Sequence, residues 1–312
     1  PISGLDIFDL EHRTFSYLAP TGPGALVKPI NVTADRDGAL YVSDPERKRV
    51  VKLNAQGTYL SAITSDDPMF RPVDAAIMGD RVYVADTRGR KIHVFDKTSC
   101  KKLFSIPPDT ATSPVSNATE NAGLPVPSVT SQSTNLFSVG SNTVPAKASV
   151  PDDEPVVAVA SNVVPSGDPN LYMPTNVDVD RNGNVYVTDA AAFRVQVYNR
   201  NGRHVRSIGS QGSAFGEFVR PKGVSVARSE RLYAVDAAEQ VVQVFDAKTG
   251  TLLMYFGEPG GSEVALSLPA GIHIDYDHVD HFRKYADKGF EIEYIILVTS
   301  QFESPRVNVY GF

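Results

Sequence analysis

The stretch MPTNVDVDRNGNVYVTDAAAFRVQVY, residues 173–198, decides the fold of this chain. Val177 and Val179 alternate with polar residues, residues 185–187 form an apolar run, and residues 195–198 form a third run, which predicts three short strands. Between the first two strands, the pair Asn182-Gly183 can adopt the positive φ angles that a tight hairpin needs. The stretch therefore predicts one unit of antiparallel sheet, which Pro174 opens.

The same pattern recurs along the chain at a period of nearly 50 residues. Each unit begins at a proline, namely Pro29, Pro72, Pro125, Pro174, Pro221 and Pro269. The spacings are 43, 53, 49, 47 and 48 residues, so six units fit the chain, with starts near residues 28, 71, 124, 173, 220 and 268. The unit at Pro125 is degenerate, since residues 135–137 are the part that resembles the others.

Each regular unit carries polar and aromatic residues at matching places. A tyrosine follows the proline by eleven or twelve residues, and an aspartate follows the tyrosine by three. Three aspartates are followed five residues later by a basic residue, in the pairs Asp44–Arg49, Asp86–Lys91 and Asp189–Arg194. Because a catalytic group is needed only once, we interpret these repeated pairs as scaffold. Four short strands per unit at this period predict an all-β, six-bladed β-propeller formed by residues 1–312 as a single domain.

Composition excludes several functional classes. The net charge of -6 and the sequence pI near 5.6 indicate no nucleic-acid partner. No apolar run is long enough for a transmembrane helix. Cys100 is the sole cysteine, so the chain has no intrachain disulfide and no attached c-type haem. Residues 1–6 do not resemble a signal peptide, and we expect any export leader to lie outside the given sequence.

Three segments depart from the repeat. Residues 105–172 are rich in Ser, Thr, Pro and Asn, which favours a long loop with a degenerate blade at 124–160 over a partner-binding loop with a glycan acceptor at Asn117. Residues 275–293 are an insertion in the last unit, long enough for about two helical turns. Residues 1–27 are predicted to close the ring, with residues 13–18 as the outer strand of the last blade, although a strand upstream of Pro1 is an alternative.

The position two residues after each opening proline is predicted to face the central channel. It holds Asn31, Asp74, Pro127, Asn176, Gly223 and Gly271. Oxygen-bearing side chains at one level suit a hard cation such as Ca²⁺. Half of the ring has no ligating side chain, however, so the pattern favours polar groups that line a wet channel.

A second group of possible metal ligands lies in and before the insertion. His273, His278 and His281 occur there among several aspartates, and His278 and His281 would share one face of a helix. A zinc site needs about four ligands with supporting hydrogen bonds, so we interpret this group as a solvated loop. We therefore predict no cofactor, and Asp74, His273 and His281 are the weak metal candidates for Ca²⁺ or Zn²⁺.

The segments LYVSD, VYVADTRGRKIHVF, VYVTDAAAFRVQVY and RLYAVDAAEQVVQVF resemble the NHL repeat, and the resemblance extends over nearly the whole chain from Pro29. It implies a six-bladed propeller with the proline-led strand innermost. The segments LPAGIHIDYD and VNVYGF are similar to bacterial NHL proteins that are exported and occur beside multihaem c-type cytochromes. That similarity implies a periplasmic or extracellular scaffold in electron transfer.

Two functional classes remain open at this point. The first is a non-enzymatic protein-binding scaffold that uses the insertion, with His278, His281, Phe282, Arg283 and Tyr285 as the contact residues. Function in propellers is carried by loops rather than by the fold, which favours this class. The alternative is a metal-dependent hydrolase or lyase at the channel mouth, because six-bladed lactonases and peptidylamidoglycolate lyases are enzymes of this kind.

Overall fold

The computed structural model describes residues 3–9, 12, 14–108, 167–260, 265–301 and 306–312. Nearly all regular structure in these residues is antiparallel sheet. The N-terminal hairpin consists of β1 (Leu5–Asp9) and β2 (Thr14–Leu18). Blade 1 consists of β3 (Asn31–Ala34), β4 (Leu40–Asp44), β5 (Arg49–Leu53) and β6 (Tyr59–Ile63).

The remaining described blades repeat this order of strands. Blade 2 consists of β7 (Pro72–Met78), β8 (Arg81–Asp86), β9 (Lys91–Asp96) and β10 (Lys102–Ile106). Blade 3 consists of β11 (Pro174–Val179), β12 (Val185–Asp189), β13 (Arg194–Tyr198) and β14 (His204–Ile208). Blade 4 consists of β15 (Pro221–Val226), β16 (Arg231–Asp236), β17 (Val241–Asp246) and β18 (Leu252–Phe256). Blade 5 consists of β19 (Pro269–Asp275), β20 (Ile295–Ser300) and β21 (Arg306–Gly311).

Local sequence explains the first hairpin of blade 3. In blade 3, the backbone N–H groups of Asn182 and Asn184 both donate to the Asp180 carboxylate at 2.8 Å. Gly183 has a φ of +82°, a conformation that costs little without a Cβ. The turn therefore holds β11 and β12 in the register that points Val177, Val185 and Val187 into a core.

Consecutive blades pack face to face, and each core lies between two blades. The core between blades 2 and 3 contains Tyr83, Ile92 and Val94 from one sheet and Val185, Val187 and Tyr198 from the next. Successive side chains along a strand point to opposite faces of the sheet. Each sheet therefore packs one face on the preceding blade and the other face on the following blade. The described strands thus form an all-β propeller of antiparallel blades, four of them four-stranded, as the repeat predicts.

Blades 2 and 3 contact each other directly. The Thr87 hydroxyl donates to the Pro174 carbonyl at 2.6 Å, and the Val177 N–H donates to the Asp74 carboxylate at 2.9 Å. This packing differs from the prediction, which placed a degenerate blade between them. Blades 2 and 3 are therefore adjacent, although β10 ends at Ile106 and β11 begins at Pro174. The predicted blade at 124–160 and the sequon at Asn117 lie outside the described residues.

The N-terminal segment also differs from its prediction. Residues 13–18 were expected to complete blade 5, but β2 pairs with β1 in a separate two-stranded sheet. Leu5 of this hairpin packs on Leu26, Val42, Val51 and Leu53, which belong to blade 1 and the segment before it. A local hairpin forms because its strands are joined by a short turn, whereas pairing with β21 would join opposite ends of the chain.

The insertion in blade 5 lies between β19 and β20, as predicted. It contains α1 (Val279–Phe282) and a single 3-10 turn (Arg283–Tyr285), which agrees with the predicted two helical turns. Its ends are held in the core between blades 4 and 5, where the Tyr233 and Tyr294 hydroxyls lie 2.7 Å apart. None of the helices in the described part of the chain is long and apolar enough to cross a membrane.

Candidate functional site

The repeated aspartates at the ends of β4, β8, β12 and β16 are scaffold groups. Each is fully buried and accepts backbone N–H groups from the residues just before its own blade. Asp189, for example, accepts the N–H groups of Tyr172 at 3.1 Å and Met173 at 2.7 Å. These bonds join the second strand of a blade to the chain segment that enters its first strand. The geometry supports the interpretation that these charges are structural rather than catalytic.

Three residues predicted to line the channel come together around one carboxylate. The Asn31 side-chain amide donates to Asp74 Oδ1 at 2.6 Å, and the Asn176 amide donates to Asp74 Oδ2 at 3.4 Å. The backbone N–H groups of Ala75 and Val177 also donate to Asp74, at 2.8 and 2.9 Å. One carboxylate therefore accepts hydrogen bonds from three consecutive blades, and both of its oxygens are occupied.

Burial controls the protonation of this carboxylate. It raises the pKa of Asp74 to about 7, against the opposing effect of the N–H groups of Val177 and Ala75, and the charge of Asp178 adds to the increase. Burial raises the pKa of Asp178 as well, although that carboxylate accepts the Val226 N–H at 2.8 Å. Asp178 links blades 3 and 4 in the way that Asp74 links blades 2 and 3.

The predicted metal candidates do not form a site. The described residues contain no group of three or more His, Cys, Asp or Glu side chains that could hold a metal ion. Gly223 and Gly271 bring no ligand to the channel, and Pro127 lies outside the described residues. A cation at Asp74 would have to displace N–H groups that already solvate the carboxylate. The channel cluster is therefore suited to joining blades, and the alternative of a metal enzyme gains no support from it.

A buried acid–histidine–hydroxyl series in blade 2 was missed by the sequence analysis. His93 Nε2 lies 3.1 Å from Asp86 Oδ2, and His93 Nδ1 lies 3.0 Å from Ser105 Oγ. Catalytic groups in this order would need access for a substrate, but His93 and Ser105 are 2% and 3% exposed. Gln196 and Gln243 occupy the position of His93 in blades 3 and 4 and are also buried. A polar residue at this position in three blades was the sequence feature that could have revealed the network. We interpret the series as a satisfied polar network.

The insertion forms a groove on blade 5 that is lined mainly by apolar residues. Its volume is about 470 Å³, and it lies between the insertion and the face of β20 and β21 that points away from blade 4. The lining residues are Phe282, Tyr285, Ala286, Asp287, Phe290, Ile292, Ile295, Val309 and Gly311. Tyr285, Phe290 and Val309 are exposed large apolar side chains. Exposed aromatic groups concentrated at one groove are typical of a binding surface.

The other predicted contact residues lie beside this groove. His278 Nδ1 lies 2.6 Å from the Asp275 carboxylate, and Arg283 forms an exposed ion pair with Asp280 at 3.1 Å. Partial burial acts to raise the pKa of Asp275, but the hydrogen bond to His278 and two backbone N–H groups hold it below its usual value. The ring of His281 contacts that of Phe282 edge to face. His273 stands apart on β19 and is exposed.

The chain is similar to known propellers at low sequence identity. A family model described as a 6-bladed beta-propeller matches residues 172–255, which lie mainly in blades 3 and 4. Comparison with curated proteins finds no significant match. A virginiamycin B lyase structure from Staphylococcus aureus aligns with 99% of this chain and 78% of its own, at 10% identity and a TM-score of 0.52. This likeness supports the propeller fold alone.

A second solved structure, Kuenenia stuttgartiensis hydrazine synthase, aligns with 95% of this chain and 68% of its own. The identity is 11% and the TM-score is 0.48. A likeness at this level supports no functional inference. The described residues form five sheets and a separate hairpin, whereas the matching family model is described as 6-bladed.

Proposed function

We propose that this protein is a non-enzymatic scaffold that binds a protein partner through the groove of the blade 5 insertion. The observation that carries the proposal is the pair of exposed aromatic side chains, Tyr285 and Phe290, that line a groove of about 470 Å³. Aromatic anchors that enter or line such pockets supply most of the binding energy in protein interfaces. The occupant that suits this groove is an apolar side chain on the surface of a folded partner.

The buried acidic groups support the non-enzymatic class. Asp74 accepts four N–H groups, and Asp189 accepts those of the segment that enters its blade. Carboxylates bound in this way join strands and blades, and their burial keeps them out of reach of a substrate. The chemically distinctive surface is therefore the groove rather than the channel.

The finer form of the proposal comes from the resemblance to exported NHL proteins. We propose that the protein acts in the periplasm or at the cell surface of a bacterium, with a multihaem c-type cytochrome as its partner. In this role it would position the cytochrome within an electron-transfer assembly and would carry no redox centre itself. The resemblance of the last blade, rather than any contact in the fold, supports this identification of the partner.

Surface plasmon resonance with a purified multihaem c-type cytochrome tests this function. We expect saturable binding to the immobilised chain, a loss of at least tenfold in affinity for Phe290→Asp, and no change for Tyr255→Ala. Tyr255 is a matched control because it is an exposed aromatic residue on blade 4, stacked on Phe215. Equal binding by the wild type and Phe290→Asp would remove the groove from the proposal, and absence of binding to every cytochrome tried would remove the partner.

A further inference from the structure

The outer strand of blade 4 differs in composition from the outer strands of the other four-stranded blades. β6, β10 and β14 read YLSAI, KLFSI and HVRSI, and each contains a charged or small polar residue. β18 reads LLMYF, so none of its five side chains is charged. Proteins protect an edge strand from pairing with other chains by placing charges on it. β18 has no such protection.

The side chains of β18 are also more exposed than those of the other outer strands. Each of the four strands has a bulge, and the bulged residues are exposed apolar side chains, namely Leu60, Leu103, Val205 and Leu253. In β18 the next two residues are exposed as well, Met254 at 46% and Tyr255 at 45%. The residues aligned with Tyr255 in β10 and β14, Ser105 and Ser207, are 3% exposed. β18 therefore presents three consecutive exposed apolar residues.

β18 lies at an open edge of its sheet. Within the described residues it pairs with β17 alone, so the backbone groups on its other side have no strand partner there. The ring of Phe215 stacks on that of Tyr255 with the centroids 4.2 Å apart, and Phe215 is itself 57% exposed. We call β18 together with the ring of Phe215 the blade 4 edge. An edge strand with exposed apolar side chains is a template for the addition of another strand.

The sequence of β18 is complementary to itself in antiparallel orientation. A two-fold axis through Met254 places Leu253 opposite Tyr255 of the other copy and Leu252 opposite Phe256. Every cross-strand pair is then apolar on both sides, so pairing removes apolar surface of both copies from water. Such self-complementarity is what a two-fold interface requires, because both copies use the same surface.

Charges at the two ends of β18 favour the same orientation. Lys248 lies in the turn before the strand, Glu258 follows the strand, and both are exposed. With the axis at Met254, Glu258 of one copy lies opposite Gly250 of the other, in the turn that carries Lys248. Lys248 also pairs with Glu230 at 2.5 Å, but an ammonium group has three donors. Opposite charges thus approach at both ends of an antiparallel pair, and complementary charges fix the register of an interface.

We propose that the blade 4 edge binds a second copy of this chain, with the two β18 strands paired antiparallel about a two-fold axis at Met254. The two blades then form one continuous sheet. A second β18 is the best complement among the described outer strands, since β10 and β14 would set Lys102 or Arg206 against the apolar row. The chain between residues 108 and 167 connects blade 2 to blade 3 rather than to blade 4. The proposal does not depend on the groove of blade 5.

Sedimentation velocity of the full chain over a range of concentrations tests the proposal. We expect a monomer–dimer equilibrium with a dissociation constant in the micromolar range, because an interface of two edge strands is small. Met254→Lys should weaken dimerisation at least tenfold, since two like charges would lie directly opposite each other on the axis. The matched control is Leu60→Lys, at an exposed position on the outer strand of blade 1, which should leave the dimer unchanged. A chain that is monomeric at every concentration, or a dimer that Met254→Lys does not weaken, would overturn the proposal.

Hydrogen exchange distinguishes a second copy from any other occupant of the edge. We expect the outward amides of residues 252–256 to exchange at least tenfold more slowly in the dimer than in the dilute monomer. Slow exchange of these amides in the monomer would show that a segment of the same chain, such as residues 109–166, covers the edge, which overturns the proposal. Phe290→Asp should leave the dimer unchanged, which separates this interface from the proposed cytochrome surface.

A disulfide cross-link tests the register. In a Cys100→Ser background, which removes the sole native cysteine, Met254→Cys should form a covalent dimer on oxidation, because residues on the axis face each other with Cβ atoms about 5 Å apart. Tyr255→Cys should form at least tenfold less, since the residue opposite it is Leu253. Equal cross-linking of the two variants would overturn the proposed pairing. The melting temperature of each variant checks that it folds, and Tyr255→Lys replaces Met254→Lys if the latter unfolds.

Discussion

Blade 3 and blade 5 arise from the same sequence repeat. They differ in the hydrogen bonds that the residue at the end of the second strand accepts and in how far the two faces of the sheet are buried. In blade 3, Asp189 is buried and accepts two backbone N–H groups, and both faces of the sheet contribute to cores. In blade 5, Ser300 stands at the aligned position and accepts a single N–H, from Ser267 at 3.3 Å. One face of blade 5 exposes Val307 and Val309. The comparison shows that regular blades serve as the frame, and that surfaces for binding arise where the repeat is broken.

The largest expected effect concerns Asp74, the carboxylate that accepts hydrogen bonds from blades 1, 2 and 3. The pKa of Asp74 is about 7 in the folded chain, which is higher than that of an aspartate in an unfolded chain. Protonation of Asp74 therefore stabilises the fold. This stabilisation is complete below about pH 4 and is lost as the pH rises through 7. Blade 5 has Gly271 at the same position and no such dependence. We expect the free energy of unfolding of the wild type, minus that of Asp74→Asn, to fall by about 4 kcal/mol between pH 4 and 8. Urea titrations of both proteins at each pH measure this difference in the free energy of unfolding. A difference that stays constant with pH would contradict the prediction.

The buried aspartates give the next largest effect. Asp189→Ala leaves the N–H groups of Tyr172 and Met173 without an acceptor, so we expect a loss of about 3 kcal/mol in the free energy of unfolding. The matched change in blade 5, Ser300→Ala, removes one weaker bond and should cost about 1 kcal/mol or less. Chemical denaturation of both variants checks the comparison. Equal losses would mean that the serine is as important to blade 5 as the aspartate is to blade 3.

A third prediction concerns the apolar faces of the two blades. Val187 is fully buried in the core between blades 2 and 3, and Val187→Ala should destabilise the chain by about 2 kcal/mol through lost burial and a cavity. Val309 is 39% exposed on blade 5, and Val309→Ala should change stability by less than about 0.5 kcal/mol. Thermal unfolding measures both. A large effect of Val309→Ala in the isolated chain would show that this face is covered in solution.

The smallest effect concerns the edges of the sheets. In blade 3, the third strand, β13, pairs with β14 on its outer side. In blade 5, β21 has no strand on its outer side within the described residues. We therefore expect the outward amides of β21 to exchange with solvent at least tenfold faster than those of β13, a difference of about 1.4 kcal/mol in opening free energy. Exchange followed by mass spectrometry or NMR tests this. Equal protection would indicate that another segment pairs with β21.

Most of the frame was predictable from the sequence because it depends on local order. The apolar run at residues 185–187 indicates a strand, and Asn182-Gly183 indicates its turn, whatever lies elsewhere in the chain. Blade starts near 28, 71, 173, 220 and 268 agree with the described strands. The insertion and its helical turns were also predicted. The site was predictable in part, since Asn31, Asp74 and Asn176 were grouped by their place after the prolines.

Other features were not predictable because they depend on contacts between distant residues. The network of Asp86, His93 and Ser105 crosses three strands, and the sequence analysis had assigned Asp86 to Lys91. Residues 13–18, which include β2, were assigned to the last blade, whereas the structure pairs β2 with β1.

By itself, the sequence of this protein determined the repeat, the strands and the aspartates that join them, since each follows from residues a few positions apart. The tertiary structure alone decided which blades are neighbours and therefore which polar residues meet. Asp74 and Asn176 lie 102 residues apart in sequence, and they meet because blades 2 and 3 pack directly together. Burial in that contact raises the pKa of Asp74, a property that no local pattern encodes.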